Sequence, residues 1–380
     1  MTPTISRDDV LRFRFRRHQL DRAPDSATDA DLLDYGVQDT GPDGAPWALA
    51  SRGLRTDGWD DLFLAWTLRG APHAYRRADV AAVAVATAPF SEADAAKRIF
   101  DASKPLKEAG IPVLDALRQV ADHLREIASK PIAKGDASSR LSELVDRPLL
   151  RFCRVCDATH IFEQTFRLPP LQAGLELEPG TSPPVLRRIP GLRPNRYQRL
   201  GAHAQERFHV VRNYLRFYGP ARMKDAAAYV DTTSKDVKAQ WPQEAVEVEV
   251  PDAGLPGPWY ALEVDVEALG GGGTGAAGGD GPVVRLLGPF DPYLQLRDRE
   301  LLVGDEAQRK DLWRTLGRPG GIVIDGEVAG TWRPRASGRK LGLLVDPWRR
   351  LSKKERVALG AESERLAAHR GVTLGDIAGV

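Results

Sequence analysis

A polar trio at a predicted chain reversal is the clearest candidate for chemistry in this sequence. Gln38, Asp39 and Thr40 are followed at once by Gly-Pro-Asp-Gly at 41–44, a run that favours a turn over a continuing helix or strand. The apolar segment Trp-Ala-Leu-Ala comes next, at 47–50. We therefore expect an amide, a carboxylate and a hydroxyl group to be presented at a cleft by a firm scaffold. The alternative is that the trio marks only the end of a helix entering a turn.

A second reversal lies farther along the chain. Gly70-Ala71-Pro72 interrupts the run at 67–73 and should point His73 outward, with Arg69 directly before the turn.

Cys153, Cys156 and His160 have a spacing similar to that of a metal site, but a structural zinc ion needs four ligands. The sequence has no second cysteine pair, and no spacing points to His203 or His209 as further ligands. No βαβ pattern surrounds the thiols to favour a redox role. Packing, a weak metal site and redox chemistry all stay open for this segment.

The Gly-rich run at 270–281 predicts a flexible insert. A phosphate-binding loop would be followed by Lys and then Ser or Thr, whereas here a strand pattern continues from Val283. Because no other cofactor fingerprint or metal quartet is present, we predict that the protein uses no cofactor. The same observation leaves an unrelated metabolic enzyme with little support.

The chain has 380 residues, of which 42% are hydrophobic and 28% charged, as expected for a globular protein of two or three compact units. Its net charge of +2 does not by itself indicate nucleic-acid binding, which depends on a basic face. Basic residues do cluster, and each cluster is either a binding face or a solvated one. The clusters are Arg12, Arg14, Arg16 and Arg17; Arg193, Arg196 and Arg199; and Arg333, Arg335, Arg339 and Lys340.

The N-terminal segment lacks the apolar core of a secretory signal, and the two cysteines form no disulfide framework. The most apolar run, at 81–90, is far shorter than the roughly 20 residues of a membrane helix. We predict a soluble, cytoplasmic protein that does not bind membranes. Its abundance of Ala, Arg, Gly and Asp is typical of a high-GC bacterial genome.

Helix caps and apolar periodicity predict the secondary structure. In the first half we expect helices over 7–20 and 29–38, a helix from the capping box at Ser91 that carries Ile99 and Phe100 inward, a helix between Pro112 and Pro131, a helix over 138–145, and strands within 149–167. In the second half we expect helices over 203–217, 220–230 and 233–241, strands over 245–250 and 261–266, a hairpin at Asp325-Gly326, a strand over 341–345, and a helix from Ser352 that ends before Gly371.

The order helix, turn, helix, strand, loop, strand in the second half is the topology of a winged helix. The first half follows the same order of helices and strands less regularly. Lys235, Lys238 and Gln240 would project from the recognition helix of the second copy.

Four short pieces in one order carry a resemblance to a known family. Gly-Val-Gln at 36–38, Arg-Gly-x-x-His at 69–73, Phe-Asp-Pro-Tyr at 290–293 and Gly-Thr-Trp-Arg at 330–333 resemble the AlkZ/YcaQ-like winged-helix DNA glycosylases. The resemblance covers about residues 8–360. In that family a Gln-x-Gln or Gln-x-Asp/Glu motif lines the site. This chain keeps Gln38 but departs from the motif with Thr40, so it carries a Gln-Asp-Thr variant.

The resemblance implies an α+β fold, mainly helical, with tandem winged-helix domains (helix-turn-helix plus β-wing) around a DNA-binding cleft. The implied units are N-terminal helices with a first winged helix, a second winged helix, the Gly-rich insert and a C-terminal winged-helix-like domain with a β-hairpin. Their boundaries are 1–170, 171–268, 269–282 and 283–380.

The resemblance also implies hydrolysis of the N-glycosidic bond of an alkylated purine in double-stranded DNA, for repair or self-resistance. Gln38 would orient the water, Thr40 would accept a hydrogen bond from it, and Asp39 would supply a carboxylate if the turn rotates it inward. Damaged or crosslinked DNA would be the partner of a monomer. The implied DNA contacts are His73, Arg69, Lys235, Lys238, Arg297, Arg299 and Arg333. The alternative is a non-catalytic DNA-binding protein or regulator of the same fold.

Overall fold

The computed structural model describes residues 2–55, 58–155, 157–270, 281–337 and 340–379. Cys156, Arg339 and most of the predicted Gly-rich insert lie outside the described residues. The fold is a mixture of helices and sheets, in agreement with the predicted α+β class. Among the described residues, no helix is both long and apolar enough to cross a membrane.

The α-helices are distributed along the whole chain. In chain order they are α1 (Arg7–Arg17), α2 (Gly44–Ala50), α3 (Val80–Ala86), α4 (Glu92–Arg98), α5 (Ser103–Glu108), α6 (Val113–Ile127), α7 (Lys134–Ser142), α8 (Glu163–Arg167), α9 (Pro169–Gln172), α10 (Val210–Tyr218), α11 (Met223–Val230), α12 (Ser234–Ala239), α13 (Val266–Gly270), α14 (Arg299–Leu302), α15 (Glu306–Leu312) and α16 (Lys353–His369).

The strands form two larger sheets and two isolated hairpins. They are β1 (Val37–Gln38), β2 (Leu62–Trp66), β3 (Pro72–Arg76), β4 (Ile132–Ala133), β5 (Leu150–Cys153), β6 (Ala158–Ile161), β7 (Leu175–Leu177), β8 (Val185–Arg188), β9 (Ala245–Val248), β10 (Trp259–Leu262), β11 (Val284–Leu287), β12 (Gly320–Ile324), β13 (Glu327–Ser337), β14 (Lys340–Pro347) and β15 (Thr373–Ala378).

The first sheet has the strand order β1-β3-β2-β7-β8-β4 and is antiparallel throughout. All five residues of β2 are buried, because helices and loops cover both of its faces. Leu64 of β2 pairs with Leu177 of β7, so the sheet contains strands from both sides of residue 170. The predicted division into domains stays a prediction.

Helices α10, α11 and α12 are followed by the antiparallel hairpin of β9 and β10. The side chain of Thr233 accepts a hydrogen bond from the backbone N–H of Asp236 at 3.1 Å and caps α12, as its sequence pattern predicts. Helix α11 ends at Val230, and the next residue, Asp231, caps it in a left-handed conformation with φ of 59°.

The second sheet has the order β11-β12-β13-β14-β15. Asp325 and Gly326 form the predicted turn between β12 and β13, and both have the positive φ that a tight hairpin needs. The predicted capping box of Ser352 and Glu355 starts α16, which packs Leu359 and Leu366 into the core of this sheet. The parallel edge strand β15 was not predicted.

Several predicted elements are wrong in extent or kind. The expected helix over 29–38 is a 3-10 turn at Asp31–Asp34 followed by strand β1, because Gly36 turns the chain at a φ of 98° and β1 then pairs with β3. The strand expected over 261–266 ends at Leu262. Phe100, expected in the core, is 46% exposed. The other shifted elements are the helices expected at 7–20, 138–145 and 203–217, found at Arg7–Arg17, Lys134–Ser142 and Val210–Tyr218, and the strand region 149–167, whose last part is helix α8.

Candidate active site

Gln38 is the last residue of strand β1, three positions before the Gly-Pro-Asp-Gly run that begins at residue 41. It pairs with His73 of β3, and Ala65 of β2 pairs with His73 from the other side. Because directly opposed residues share a sheet face, Gln38 and His73 are neighbours on that face. Gln38 is only 8% exposed, so its amide is held by protein on most sides.

The two ends of the Gln38 amide have separate partners. Oε1 accepts a hydrogen bond from Nη2 of Arg69 at 3.3 Å, and Nε2 donates to Oγ1 of Thr40 at 3.1 Å. An amide oxygen has two lone pairs and an amide nitrogen two protons. Among the residues that the structure describes, one acceptor position and one donor position of Gln38 therefore stay available.

Arg69 connects this amide to a distant helix. Its Nη1 donates to the backbone oxygen of Tyr229 in α11 at 3.0 Å, and its guanidinium group lies 4.3 Å from the centre of the Tyr229 ring. The backbone of Arg69 is left-handed, with φ of 59°, a conformation that non-glycine residues adopt mostly where surrounding contacts enforce it.

Contacts from helix α8 hold the turn of Arg69 and Gly70. Gln164 donates from Nε2 to the backbone oxygen of Arg69 at 3.4 Å, and Arg167 donates from Nη1 to that of Gly70 at 3.1 Å. A Cβ atom at Gly70 would overlap the side-chain oxygen of Gln164, and φ at Gly70 is 66°. Glycine is favoured here because other residues rarely adopt this left-handed φ.

Asp39 faces the start of helix α2. Its Oδ1 accepts a hydrogen bond from the backbone N–H of Ala45 at 2.8 Å, which satisfies a donor that the helix itself leaves free. A Cβ atom at Gly44 would overlap this carboxylate. Burial raises the pKa of Asp39, while the hydrogen bond from Ala45 opposes that shift.

The expectation that His73 points outward is wrong, since its side chain is only 1% exposed. Its Nδ1–H donates to the backbone oxygen of Ala71 at 2.9 Å, because a carbonyl oxygen can only accept. Nδ1 also lies 3.1 Å from Oγ1 of Thr67. Burial, then the charge of Arg69, lowers the pKa of His73 to about 3, so the ring is neutral at pH 7. A buried neutral ring is poorly placed to bind a phosphate.

A narrow cleft lies beside Gln38 and Thr40. Its opposite wall is the segment Gly288–Asp291, which includes part of the Phe-Asp-Pro-Tyr piece. Asp291 accepts two hydrogen bonds from Arg52, both at 2.9 Å, and both side chains are almost completely buried. Tyr293 is fully buried as well. Asp291 and Tyr293 are therefore part of the protein interior, where Asp291 balances the charge of Arg52.

The predicted DNA contacts lie in different environments. Lys235 and Lys238 are exposed on α12. Arg333 on β13 is paired with Asp311, at 3.1 Å from Nη2 to Oδ1. Arg297 and Arg299 are partly buried at the start of α14.

The N-terminal arginine cluster is not a basic face. Arg14 is fully buried and pairs with Asp298 at 2.6 Å, while Arg17 pairs with Asp265. Within the described ranges, no group of three His, Cys, Asp or Glu side chains could hold a metal ion. Cys156 lies outside those ranges, so the Cys-x-x-Cys segment stays open.

The sequence did not point to Tyr229, Gln164 or Arg318 as residues around the site. Tyr229 and Gln164 hold Arg69, and Arg318 lies over the ring of Phe290, which lines the cleft. Each of these contacts joins residues far apart in the chain. No local motif or spacing could have indicated them.

Comparisons with known proteins identify the fold and the family of the chain. Among solved structures, the chain is similar to the DNA glycosylase AlkZ of Streptomyces sahachiroi, with a TM-score of 0.66 and 20% sequence identity over 99% of this chain and 100% of that one. At this identity the likeness shows a shared fold. No curated protein matches the chain. The family model described as DNA glycosylase AlkZ-like matches residues 32–369, most of the chain. The protein therefore belongs to the AlkZ-like family of DNA glycosylases.

Proposed function

We propose that this enzyme hydrolyses the N-glycosidic bond of alkylated purines in double-stranded DNA, with Gln38 as the residue that orients the attacking water. The observation that carries the proposal is the Gln38 amide, oriented by Arg69 and Thr40 at the edge of a cleft. One donor and one acceptor position of that amide face no protein partner among the described residues. A water molecule can occupy them.

The chemistry of the lesion suits such a site. Cleavage of a glycosidic bond passes through a transition state with positive charge on the sugar, and it requires a placed water molecule. A purine alkylated at N7 already carries a positive charge and is a good leaving group. An amide that only positions water can then be sufficient, where an undamaged base would need a stronger acid or base.

The neighbouring side chains have distinct proposed roles. Thr40 holds the amide of Gln38 by accepting its N–H, and Arg69 holds the oxygen end. Asp39 fixes the loop through the N–H of Ala45. His73 packs beside Gln38 on the same sheet face and is held there by its hydrogen bond to Ala71.

Tandem winged helices form the proposed DNA-binding surface, with the domain boundaries given above. In the second copy, α10, α11 and α12 precede the β9–β10 hairpin, and α12 would be the recognition helix that carries Lys235 and Lys238. In the first copy, α6 and α7 precede the β5–β6 hairpin.

We propose that the protein acts as a monomer in the bacterial cytoplasm, without a cofactor, on bulky or crosslinked as well as simple alkylation products.

The direct test is base release from a duplex that contains N7-methylguanine, scored as abasic sites under single-turnover conditions. Gln38→Ala should lower the rate roughly 100-fold or more, the usual loss when a group that acts on the reacting atoms is removed. Gln198→Ala, at an exposed position, is the matched control and should keep the wild-type rate. Binding without base release across a lesion panel that includes crosslinks would refute the proposal.

A further inference from the structure

Helix α16 contacts both ends of helix α2, the short helix that follows the turn of the candidate active site. At the start of α2, Arg370 donates two hydrogen bonds to Asp43, from Nε to Oδ1 at 2.6 Å and from Nη2 to Oδ2 at 2.5 Å. At the end of α2, Arg365 donates from Nη2 to the backbone oxygen of Ala50 at 3.0 Å. Two arginines from one helical region thus hold α2 at its two ends.

The middle of α2 is attached to the same region of the chain. Trp47 is buried, and its Nε1 donates to the backbone oxygen of Leu286 in β11 at 2.7 Å. The guanidinium group of Arg365 lies 5.6 Å from the centre of the Trp47 ring. Because β11 leads directly into the segment Gly288–Asp291, the opposite wall of the cleft, the C-terminal region supports both walls of that cleft.

The ion pair of Arg370 and Asp43 is largely removed from solvent. Asp43 is 7% exposed, and the side chain of Arg370 is 19% exposed. An exposed ion pair constrains its partners weakly, whereas two parallel hydrogen bonds to one buried carboxylate fix the orientation of both groups. Asp43 also lines the cleft beside Gln38 and Thr40. This carboxylate therefore connects α16 to the wall of the candidate active site.

The turn over residues 39–44 is fixed at both ends. At the first end, the backbone N–H of Asp39 donates to the backbone oxygen of Pro72 at 2.9 Å. At the second end, Asp43 is held by α16. Thr40 lies between the two ends, and its hydroxyl group accepts a hydrogen bond from Nε2 of Gln38 at 3.1 Å. Movement of the second end would therefore displace the group that orients the Gln38 amide.

We propose that Arg370 is a positioning residue for base release. By holding Asp43, it keeps the turn in the conformation in which Thr40 orients the amide of Gln38. Arg370 acts through Thr40 and not on the reacting atoms. The effect on base release rests on the proposed function, whereas the holding of the turn rests only on the contacts between Arg370 and Asp43.

The holding of the turn is tested by amide hydrogen exchange of the full chain, measured by mass spectrometry with fragmentation to single residues. The backbone N–H groups of Ala45 and Trp47 are the probes, because each is hydrogen-bonded to a residue at one end of the turn. In Arg370→Gln both should exchange roughly ten-fold faster or more, since a hydrogen bond to a charged group is worth at least that factor in local opening. Arg349→Gln, which breaks the ion pair with Glu355 in the first turn of α16, is the control and should leave both exchange rates unchanged.

The effect on base release is tested in single turnovers at saturating enzyme, at a temperature where all variants are folded. Arg370→Gln should lower the rate roughly five-fold, the loss expected for Thr40→Val, because Arg370 acts through that hydroxyl group. In the Thr40→Val background, Arg370→Gln should cause no further loss, whereas a general loosening of the fold would lower the rate again. Arg370→Lys keeps the charge but not the paired geometry, so its rate should lie between those of wild type and Arg370→Gln. The affinity of all these variants for an undamaged duplex, measured by fluorescence anisotropy, should stay at the wild-type value.

Unchanged exchange of Ala45 and Trp47 in Arg370→Gln would overturn the proposal, whatever the activity of the enzyme. Faster exchange with a wild-type rate of base release, or additive losses in the double variant, would show that the turn is held but does not orient Gln38, which also refutes the positioning role. If wild type releases no base, the proposed function fails and the role in base release fails with it. The exchange rates would then still show whether Arg370 holds the turn.

Discussion

Arg69 donates one hydrogen bond to Oε1 of Gln38 at 3.3 Å and a second to the backbone oxygen of Tyr229 at 3.0 Å. The guanidinium group of Arg69 thus connects the Gln38 amide to helix α11. Arg69 and Tyr229 are 160 residues apart in the sequence. The orientation of Gln38 therefore depends on how α11 packs against the first sheet. The catalytic geometry and the docking of the proposed DNA-binding helices are physically connected at this residue.

Arg69→Lys should lower the single-turnover rate of base release roughly 10-fold or more, because hydrogen bonds to charged groups contribute about 1.5–3 kcal/mol and an ammonium cannot span both acceptors in the same way. The salt dependence of DNA binding should stay at its wild-type slope, since the charge is kept. The measurement compares the rate at saturating enzyme with the binding slope. An unchanged rate for Arg69→Lys would contradict the role of Arg69 in orienting Gln38.

Thr40→Val should lower the same rate roughly five-fold, because it removes the acceptor for Nε2 of Gln38 at nearly constant volume and a neutral hydrogen bond is worth about 1 kcal/mol. Thr40→Ser keeps the hydroxyl group and should stay close to the wild-type rate. The rate of base release by both variants is measured with the N7-methylguanine duplex. Equal rates for the two variants would show that the hydroxyl does not position the amide.

His73 should make the protein less stable in mild acid. Its pKa in the folded state is about 3, below the ordinary 6.5, so the unfolded chain takes up the proton first. The contribution of neutral His73 to the free energy of unfolding is complete above pH 6.5. It is lost as the pH falls towards 3, at up to about 1.4 kcal/mol per pH unit.

His73→Asn keeps a donor for the backbone oxygen of Ala71 and removes the titration. Its loss of unfolding free energy between about pH 6.5 and 5 should be smaller than that of wild type by up to about 2 kcal/mol, measured by urea denaturation. The exposed His203→Asn serves as control. His18 and His209, whose pKa values are also lowered by burial, would contribute to the remaining acid sensitivity. Identical pH profiles for wild type and His73→Asn would contradict the prediction.

Asp291→Asn should lower the free energy of unfolding by about 3–5 kcal/mol, because it leaves the buried guanidinium of Arg52 without its charge partner. Replacing both residues, as Arg52→Met with Asp291→Leu, should recover part of this loss. Asp346→Asn, at an exposed position, is the control for the same chemical change. A loss below about 1 kcal/mol for Asp291→Asn would mean that the pair is not desolvated in solution.

Elements with local signals are placed well from the sequence. The caps at Ser91, Thr233 and Ser352 and the Asp325-Gly326 turn depend on residues within four positions of one another, and all are found as expected. The order of four short motifs was likewise enough to indicate the family, whose model matches residues 32–369.

Contacts between distant segments could not be predicted from such local signals. Pairing of β1 with β3 buries His73 and makes a strand of the last two residues of the expected helix. The folded chain also brings Arg318 over Phe290 and Arg69 over Tyr229. The sequence names Gln38 as the residue to study, because its motif is local. Its orientation, and the charges around its cleft, follow from long-range packing, in which burial and pairing outweigh the preferences of each short segment.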